Sequence, residues 1–176
     1  AYEIYQCDWS SDVCSSDLHQ SPPGSGPRHL VFAPGGAQAL LVSELASTLG
    51  LFDVTETGLT LRERRSTLPA DFSGESLGGH LEINAAGDRV YVTNRGHDSI
   101  AVFRLDAPSG LLEPLQFVAS GGKSPRFFLI AEDVSRLFVA HEQSGSVTAF
   151  EILADGTLRP TGQEVAVPGS VFLLRE

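Results

Sequence analysis

Short apolar runs closed by glycine- or proline-bearing turns recur along the chain from Pro27 onward, in the rhythm of short strands. Pro27-Arg28-His29-Leu30-Val31-Phe32 leads through a Pro34-Gly35-Gly36 turn to Leu40-Leu41-Val42-Ser43-Glu44 and then to Leu51-Phe52-Asp53. The same order returns as His80-Leu81-Glu82-Ile83, a turn at Ala86-Gly87-Asp88, Val90 to Arg95, and Ile100 to Phe103. A third copy runs from Arg126-Phe127-Phe128-Leu129-Ile130 through a turn near Asp133 to Leu137 to Glu142, then Val147 to Phe150. His29 to Phe52, His80 to Phe103 and Phe127 to Phe150 are each 23 residues apart, so the copies align without a gap.

Each copy continues into a more polar stretch, Thr60 to Thr67, Glu113 to Ala119 or Arg159 to Val167. Turns at Thr57-Gly58, Ser109-Gly110 and Asp155-Gly156 lead into them. Four antiparallel strands repeating in this way predict an all-β, partial β-propeller, with the apolar strand of each blade innermost and the polar strand outermost. The blades fall at about 27–69, 78–122 and 125–169, and Ser170 to Glu176 reads as one extra strand. A solenoid of ββ hairpins is the competing architecture. Three blades do not close a ring that takes four to eight, so an open arc with unpaired edges is expected.

Residues 1–20 stand apart. Among the first eighteen are four acids, no Lys or Arg, the only Trp (Trp9) and both cysteines, Cys7 and Cys14. Asp8 to Leu18 resembles the translation of a sequencing-library adapter, and residues 1–20 are expected to be a non-native, disordered segment outside the fold. No second Cys or His pair answers the two cysteines at zinc spacing, so neither a metal nor another cofactor is expected. The chain contains no Met, and its native start is expected upstream.

The 176 residues carry a formal charge of −10, with 19% charged and 41% apolar positions. That balance disfavours disorder, and the scattered bases disfavour nucleic acid. No apolar run is long enough to span a bilayer, so a membrane is not an expected partner.

Antiparallel order brings certain polar residues together. Strand one leaves Arg28 and strand two returns at Glu44, and the same geometry pairs Arg126 with Glu142 and puts Arg95 on the same rim. Three guanidinium groups, two carboxylates and the imidazoles of His29, His97 and His141 then gather where inner strands face the axis, a setting for a small anionic ligand. Plainer readings stand beside this one. Arg28 and Glu44 also suit a structural ion pair. His29 follows Arg28 on a pleated strand and reads as a packed or backbone-bonded histidine on the opposite face. His97 and Asp98 read as turn residues, and His141 suits either role. Gly121-Gly122-Lys123-Ser124 lacks phosphate-loop spacing and reads as an inter-blade turn, and no Gly-x-Ser-x-Gly elbow occurs.

Gly26-Pro27-Arg28-His29-Leu30-Val31-Phe32, Ser43-Glu44-Leu45, the run from Tyr91 to Phe103 and Gly121 to Arg126 together resemble the β-propeller lactonase family of the 6-phosphogluconolactonase type, from about Ser21 to Glu176. The resemblance implies a seven-bladed parent, of which this chain is the carboxyl-terminal half. It also implies metal-free, cytoplasmic hydrolysis of 6-phosphoglucono-1,5-lactone to 6-phosphogluconate in the pentose phosphate pathway. A related branch makes lactones from muconates; its Pro-Arg-His arginine and Asn-Glu-Leu glutamate fall on Arg28 and Glu44, and an Asn-Arg-Gly arginine falls on Arg95. Ser43 departs from the family's Asn, and a histidine-rich motif of an earlier blade is missing.

The implied site has Glu44, Arg28 and Arg95 as catalytic residues and His29, His97, Arg126, His141 and Glu142 as substrate-binding residues. Water attacks the lactone carbonyl, Glu44 or the missing histidine takes its proton, and Arg28 with Arg95 holds the oxyanion or phosphate. The expected partner is a small anionic sugar lactone. The parent is expected to be monomeric, and the fragment inactive and prone to self-association through its open edges. The alternatives are a non-catalytic propeller that displays its face to a partner and the muconate-type lactonizing enzyme.

Overall fold

The computed structural model describes residues 19–106 and 110–175. The expectation of disorder over 1–18 lies outside the described residues. His19 has a definite place, with its ring edge-on to Phe52 at 4.5 Å between centroids.

Twelve strands form three four-stranded antiparallel sheets. Blade one contains β1 (Pro27–Phe32), β2 (Gln38–Ser43), β3 (Thr48–Thr55) and β4 (Gly58–Ser66). Blade two contains β5 (Leu77–Ile83), β6 (Arg89–Arg95), β7 (Ser99–Asp106) and β8 (Leu111–Ala119). Blade three contains β9 (Pro125–Ala131), β10 (Arg136–His141), β11 (Ser146–Ile152) and β12 (Leu158–Ala166). In each sheet the strands pair in chain order, as the repeat predicts for a propeller blade. The turn expected near Asp133 is a single turn of 3-10 helix, Glu132–Val134.

The apolar alternation decides which blade each side chain packs against. Val90 and Val92 on β6 join Leu40, Val42, Leu49 and Leu51 of blade one. Tyr91, between them, joins Phe128, Leu137, Val139 and Phe150 of blade three. Strand β7 divides in the same way, with Ala101 and Phe103 toward blade one and Ile100 and Val102 toward blade three. Both faces of the middle blade are covered, so its strands read as nearly continuous apolar runs. On β1, by contrast, Leu30 and Phe32 are 41% and 54% exposed.

Polar bonds tie the blades at their edges. The Tyr91 hydroxyl donates to the Gly156 carbonyl at 2.9 Å, and Gln116 exchanges two bonds with the Leu158 backbone at 2.9 and 2.8 Å. Asn94 Nδ2 donates to Thr67 O at 2.7 Å, fixing the link that leaves blade one.

The strand expected over 170–176 is not formed at 170–175. A strand needs a ladder partner, and none of the described strands pairs with this stretch. Side chains anchor it instead: Ser170 Oγ donates to Ser146 O at 3.2 Å, Phe172 packs on Phe127 at 4.4 Å, and Arg175 bonds Asp133.

Candidate functional site

The inner strands share a distortion at one rim. The β1/β2 register slips between Pro27 and His29, the β5/β6 register between Gly78 and Leu81, and the β9/β10 register between Ala140 and His141. A bulge breaks the strict alternation of a strand and re-aims its side chains. Here it lets consecutive residues Arg28 and His29 line one cleft.

Glu44, just past the end of β2, receives a guanidinium from each of two blades. Arg28 Nη1 lies 3.2 Å from Glu44 Oε2, and Arg95 Nη2, from blade two, bonds Glu44 Oε1. Backbone carbonyls complete the arrangement: Arg28 Nε donates to Gly79 O at 3.1 Å and Arg95 Nη2 to Gly78 O at 3.3 Å. The Arg95 Nε donor is buried without a partner among the described residues.

These approaches need the Gly78-Gly79 pair. A Cβ on Gly79 would lie 2.4 Å from Thr93 Oγ1 and 2.9 Å from Pro125 O, and one on Gly78 would lie 2.9 Å from Val42 Cγ2. Partial burial pushes the Glu44 carboxyl up, but the bonds from Arg95 and Arg28 outweigh it and hold the group below its ordinary range.

Beside Arg28, His29 Nδ1 and His80 Nδ1 face each other at 3.1 Å across the junction of blades one and two. The His80 ring stacks on Phe127 at 4.1 Å and meets Phe128 edge-on at 4.8 Å. Burial, then the neighbouring His29 and Arg28, push His80 down to about 3. Burial, then the Arg28 charge, also lowers His29, so both rings are neutral at pH 7. His80 Nε2 lies 3.9 Å from Glu82 Oε2. Burial raises Glu82 to about 7, against the lowering effect of a backbone bond from Ile130 and with help from Glu132.

Arg28, His29, His80, Arg126, Phe127 and Phe172 line an axial cleft of about 440 Å³. A second cleft on this rim, about 560 Å³, includes Arg95, Asp98, Ser124 and Glu142. A third, about 510 Å³, opens at the other ends of blades two and three beside Asn84, Arg89, Tyr91 and Glu132 and contains no predicted site residue.

The predicted set therefore divides. Arg28, Glu44 and Arg95 come together, while Arg126 and Glu142 form their own pair at 3.0 Å on blade three. Arg126 also lines the axial cleft. His29 is packed, as one of the two expected readings had it, against His80; its expected place on the face opposite Arg28 is corrected, because the slip falls at Arg28 and turns that residue into the same cleft. Two proposed substrate contacts fit other roles. His97 Nδ1 is 2.7 Å from Ser99 Oγ, and its ring packs edge-on to Phe72 at 4.5 Å, within the turn. His141 is fully buried. Its Nδ1 meets Ser146 O at 3.3 Å, and Gly122 lies so close that a Cβ there would be 2.6 Å from His141 Cγ.

His80, Glu82 and Phe127 were not singled out from the sequence. The repeat contains the missing signal, because His80 follows His29 by 51 residues, as Arg95 follows Glu44. Residues one repeat apart at the same register lie side by side on neighbouring blades. Among the described residues, no group of three or more His, Cys, Asp or Glu converges on a metal position, and no helix is long and apolar enough to cross a membrane.

Comparison with known proteins bears on the fold and family of the chain. The chain is 34% identical over 169 residues to the 6-phosphogluconolactonase of Bacillus subtilis, covering 93% of this chain and 48% of that protein. The Pseudomonas aeruginosa periplasmic gluconolactonase PpgL superposes with a TM-score of 0.81 at 31% identity, over 85% of this chain and 42% of its own. A Lactobacillus plantarum protein of known structure gives 0.84 at 29% identity, over 89% of this chain and 46% of its own. The chain thus spans about half the length of the relatives it matches. The family described as lactonase, seven-bladed β-propeller, matches residues 3–174, a range that takes in the adapter-like stretch. On that match, and on the three four-stranded sheets of the structure, the chain belongs to the seven-bladed β-propeller lactonase family.

Proposed function

We propose that these blades contribute the working rim of an enzyme that hydrolyses a sugar lactone, most specifically 6-phosphoglucono-1,5-lactone to 6-phosphogluconate. The carrying observation is the single carboxylate, Glu44, that fixes Arg28 and Arg95 from adjacent blades. Family membership and the Bacillus subtilis relative support the reaction class.

The roles proposed here differ from those of the sequence-based mechanism. A carboxylate bound to two guanidinium groups and held below its ordinary range is a weak base. Glu44 acts as the anchor that orients Arg28 and Arg95. The lactone carbonyl oxygen becomes an oxyanion when water attacks, and the guanidinium N–H groups stabilise that charge. Neutral His29, adjacent to Arg28, takes the proton of the attacking water, and the ring oxygen leaves as the new hydroxyl by accepting a proton. Arg126, at the same cleft, attracts the phosphate.

In this reading the full ring is a cytoplasmic monomer of the pentose phosphate pathway that uses no cofactor. The three blades alone bind the product but do not turn over the lactone, and their exposed apolar edges favour self-association. The test is lactone hydrolysis above the spontaneous background in a complete ring carrying these residues. Arg28→Ala is expected to lower kcat/KM by about two to three orders of magnitude. A loss of only a few fold overturns the assignment, and no hydrolysis at all favours a propeller that only binds.

A further inference from the structure

We infer that His80 is a positioning residue for His29: it accepts the His29 Nδ1–H, fixing the ring in the tautomer whose bare Nε2 takes the proton from water. This rests on the hydrolytic reading above and adds a residue to it.

The argument begins with the contact itself. Two imidazole nitrogens 3.1 Å apart make a hydrogen bond only if one carries a proton and the other does not. The pair therefore has two tautomeric arrangements, and its surroundings choose between them. His80 Nε2 lies 3.9 Å from Glu82 Oε2, too far for a hydrogen bond, but a charged carboxylate there draws a proton to the nearer ring nitrogen, so Nε2–H is the favoured state once Glu82 is ionised. A neutral His80 with Nε2–H has a bare Nδ1, which can only accept. His29 must then donate from Nδ1, leaving Nε2 as its basic nitrogen. Among the described residues no hydrogen bond occupies His29 Nε2, and the ring lines the axial cleft.

The packing holds this arrangement in place. His80 is clamped between Phe127 and Phe128, so its ring has little freedom to turn away. The charged and titratable groups around the pair are Arg28, Glu44 and Arg95 near His29, Arg28 and Glu82 near His80, and Arg126 from blade three, which lines the same cleft. When His29 accepts a proton at Nε2, its Nδ1–H becomes the donor of a charge-assisted bond to His80, which stabilises the imidazolium. No net proton leaves the pair until the leaving ring oxygen claims it.

The test is nitrogen-15 NMR of the imidazoles in the 176-residue chain near pH 8, where Glu82 is charged, in wild type and in His80→Phe and His80→Gln. Expected are a protonated Nδ1 and bare Nε2 on His29, and a protonated Nε2 on His80. His80→Phe keeps an aromatic ring against Phe127 but removes the acceptor, so the His29 tautomer preference is lost and its pKa falls. His80→Gln offers an amide oxygen and is expected to restore the preference. In the complete ring, His80→Phe is expected to lower kcat/KM about 10- to 100-fold, as loss of an orienting partner does elsewhere. The acid limb of its pH profile is expected to move to lower pH.

A bare Nδ1 on His29 in wild type, or an unchanged tautomer in His80→Phe, overturns the inference. Should His80→Phe fail to fold, the wild-type and His80→Gln spectra decide. Absence of hydrolysis with the expected tautomers refutes the hydrolytic reading and leaves the pairing standing.

Discussion

Glu44 bonds Arg28, sixteen residues before it on the same blade, and Arg95, 51 residues after it on the next. One carboxylate therefore couples the chemistry of the rim to the packing of two blades. Replacing it leaves two partly buried guanidinium groups without an anionic partner. Glu44→Ala is expected to lose about 1–3 kcal/mol of stability in urea unfolding and to weaken product binding at the same time. Stability equal to wild type would indicate that water serves the arginines as well as Glu44 does.

The Gly79 position is a steric test of the same junction. Gly79→Ala places a methyl 2.4 Å from Thr93 Oγ1 and 2.9 Å from the Pro125 carbonyl. The backbone must shift, and the carbonyl bonded by Arg28 Nε shifts with it. Overpacking of this kind costs about 1–3 kcal/mol, read as a lower midpoint of urea unfolding.

The repeat gives Asn94 and His141 the same place at the ends of β6 and β10. Asn94 also accepts from Thr67 Oγ1 at 2.6 Å. Asn94→Ala leaves the Thr67 carbonyl without its donor, while Thr67 Oγ1 keeps Ser47 O, and is expected to cost about 1–3 kcal/mol. His141→Ala is likewise expected to lower stability while leaving affinity for 6-phosphogluconate unchanged. A selective loss of affinity in His141→Ala would return that histidine to the binding site.

Stability should depend on pH through two groups of opposite sign. His80 is lowered from 6.5 to about 3, so between those values the unfolded chain binds more protons and stability falls as pH drops. Glu82 is raised from 4.5 to about 7, so there the folded chain binds more protons and stability falls as pH rises. Below about pH 4.5 the histidine contribution continues without the opposing one and is joined by that of Glu44, whose carboxyl is held below its ordinary range. Chemical denaturation across pH 3–8 is expected to show a shallower acid decline in His80→Gln and a shallower loss from pH 4.5 to 7 in Glu82→Gln. The opposite pairing of variants and slopes would contradict these assignments.

Much of the fold was legible in the sequence because the apolar alternation, the turn glycines and the matched 23-residue spacing all specify one repeating unit. The Arg28–Glu44 and Arg126–Glu142 pairs were legible for the same reason, since antiparallel return within a hairpin places them together. What was less visible depends on bulges and on contacts between blades. Simple alternation puts Arg28 and His29 on opposite faces, because it takes no account of the slip at Arg28. The His29–His80 contact joins residues a full repeat apart, and pattern within one blade does not report it. The stretch 170–175 has strand-like composition, but a strand requires a ladder partner, and composition alone does not supply one.

The central claim is that Arg28 and Arg95, fixed by one carboxylate, form the anion-binding rim. Its most direct test is to titrate the chain with 6-phosphogluconate while following the guanidinium Nε–H resonances. The account predicts saturable shifts at Arg28 and Arg95, accompanied by the His29 ring and abolished in Glu44→Ala. Shifts confined to arginines away from the rim, such as Arg104 on β7 and Arg159 on β12, with Arg28 and Arg95 unmoved, would contradict it.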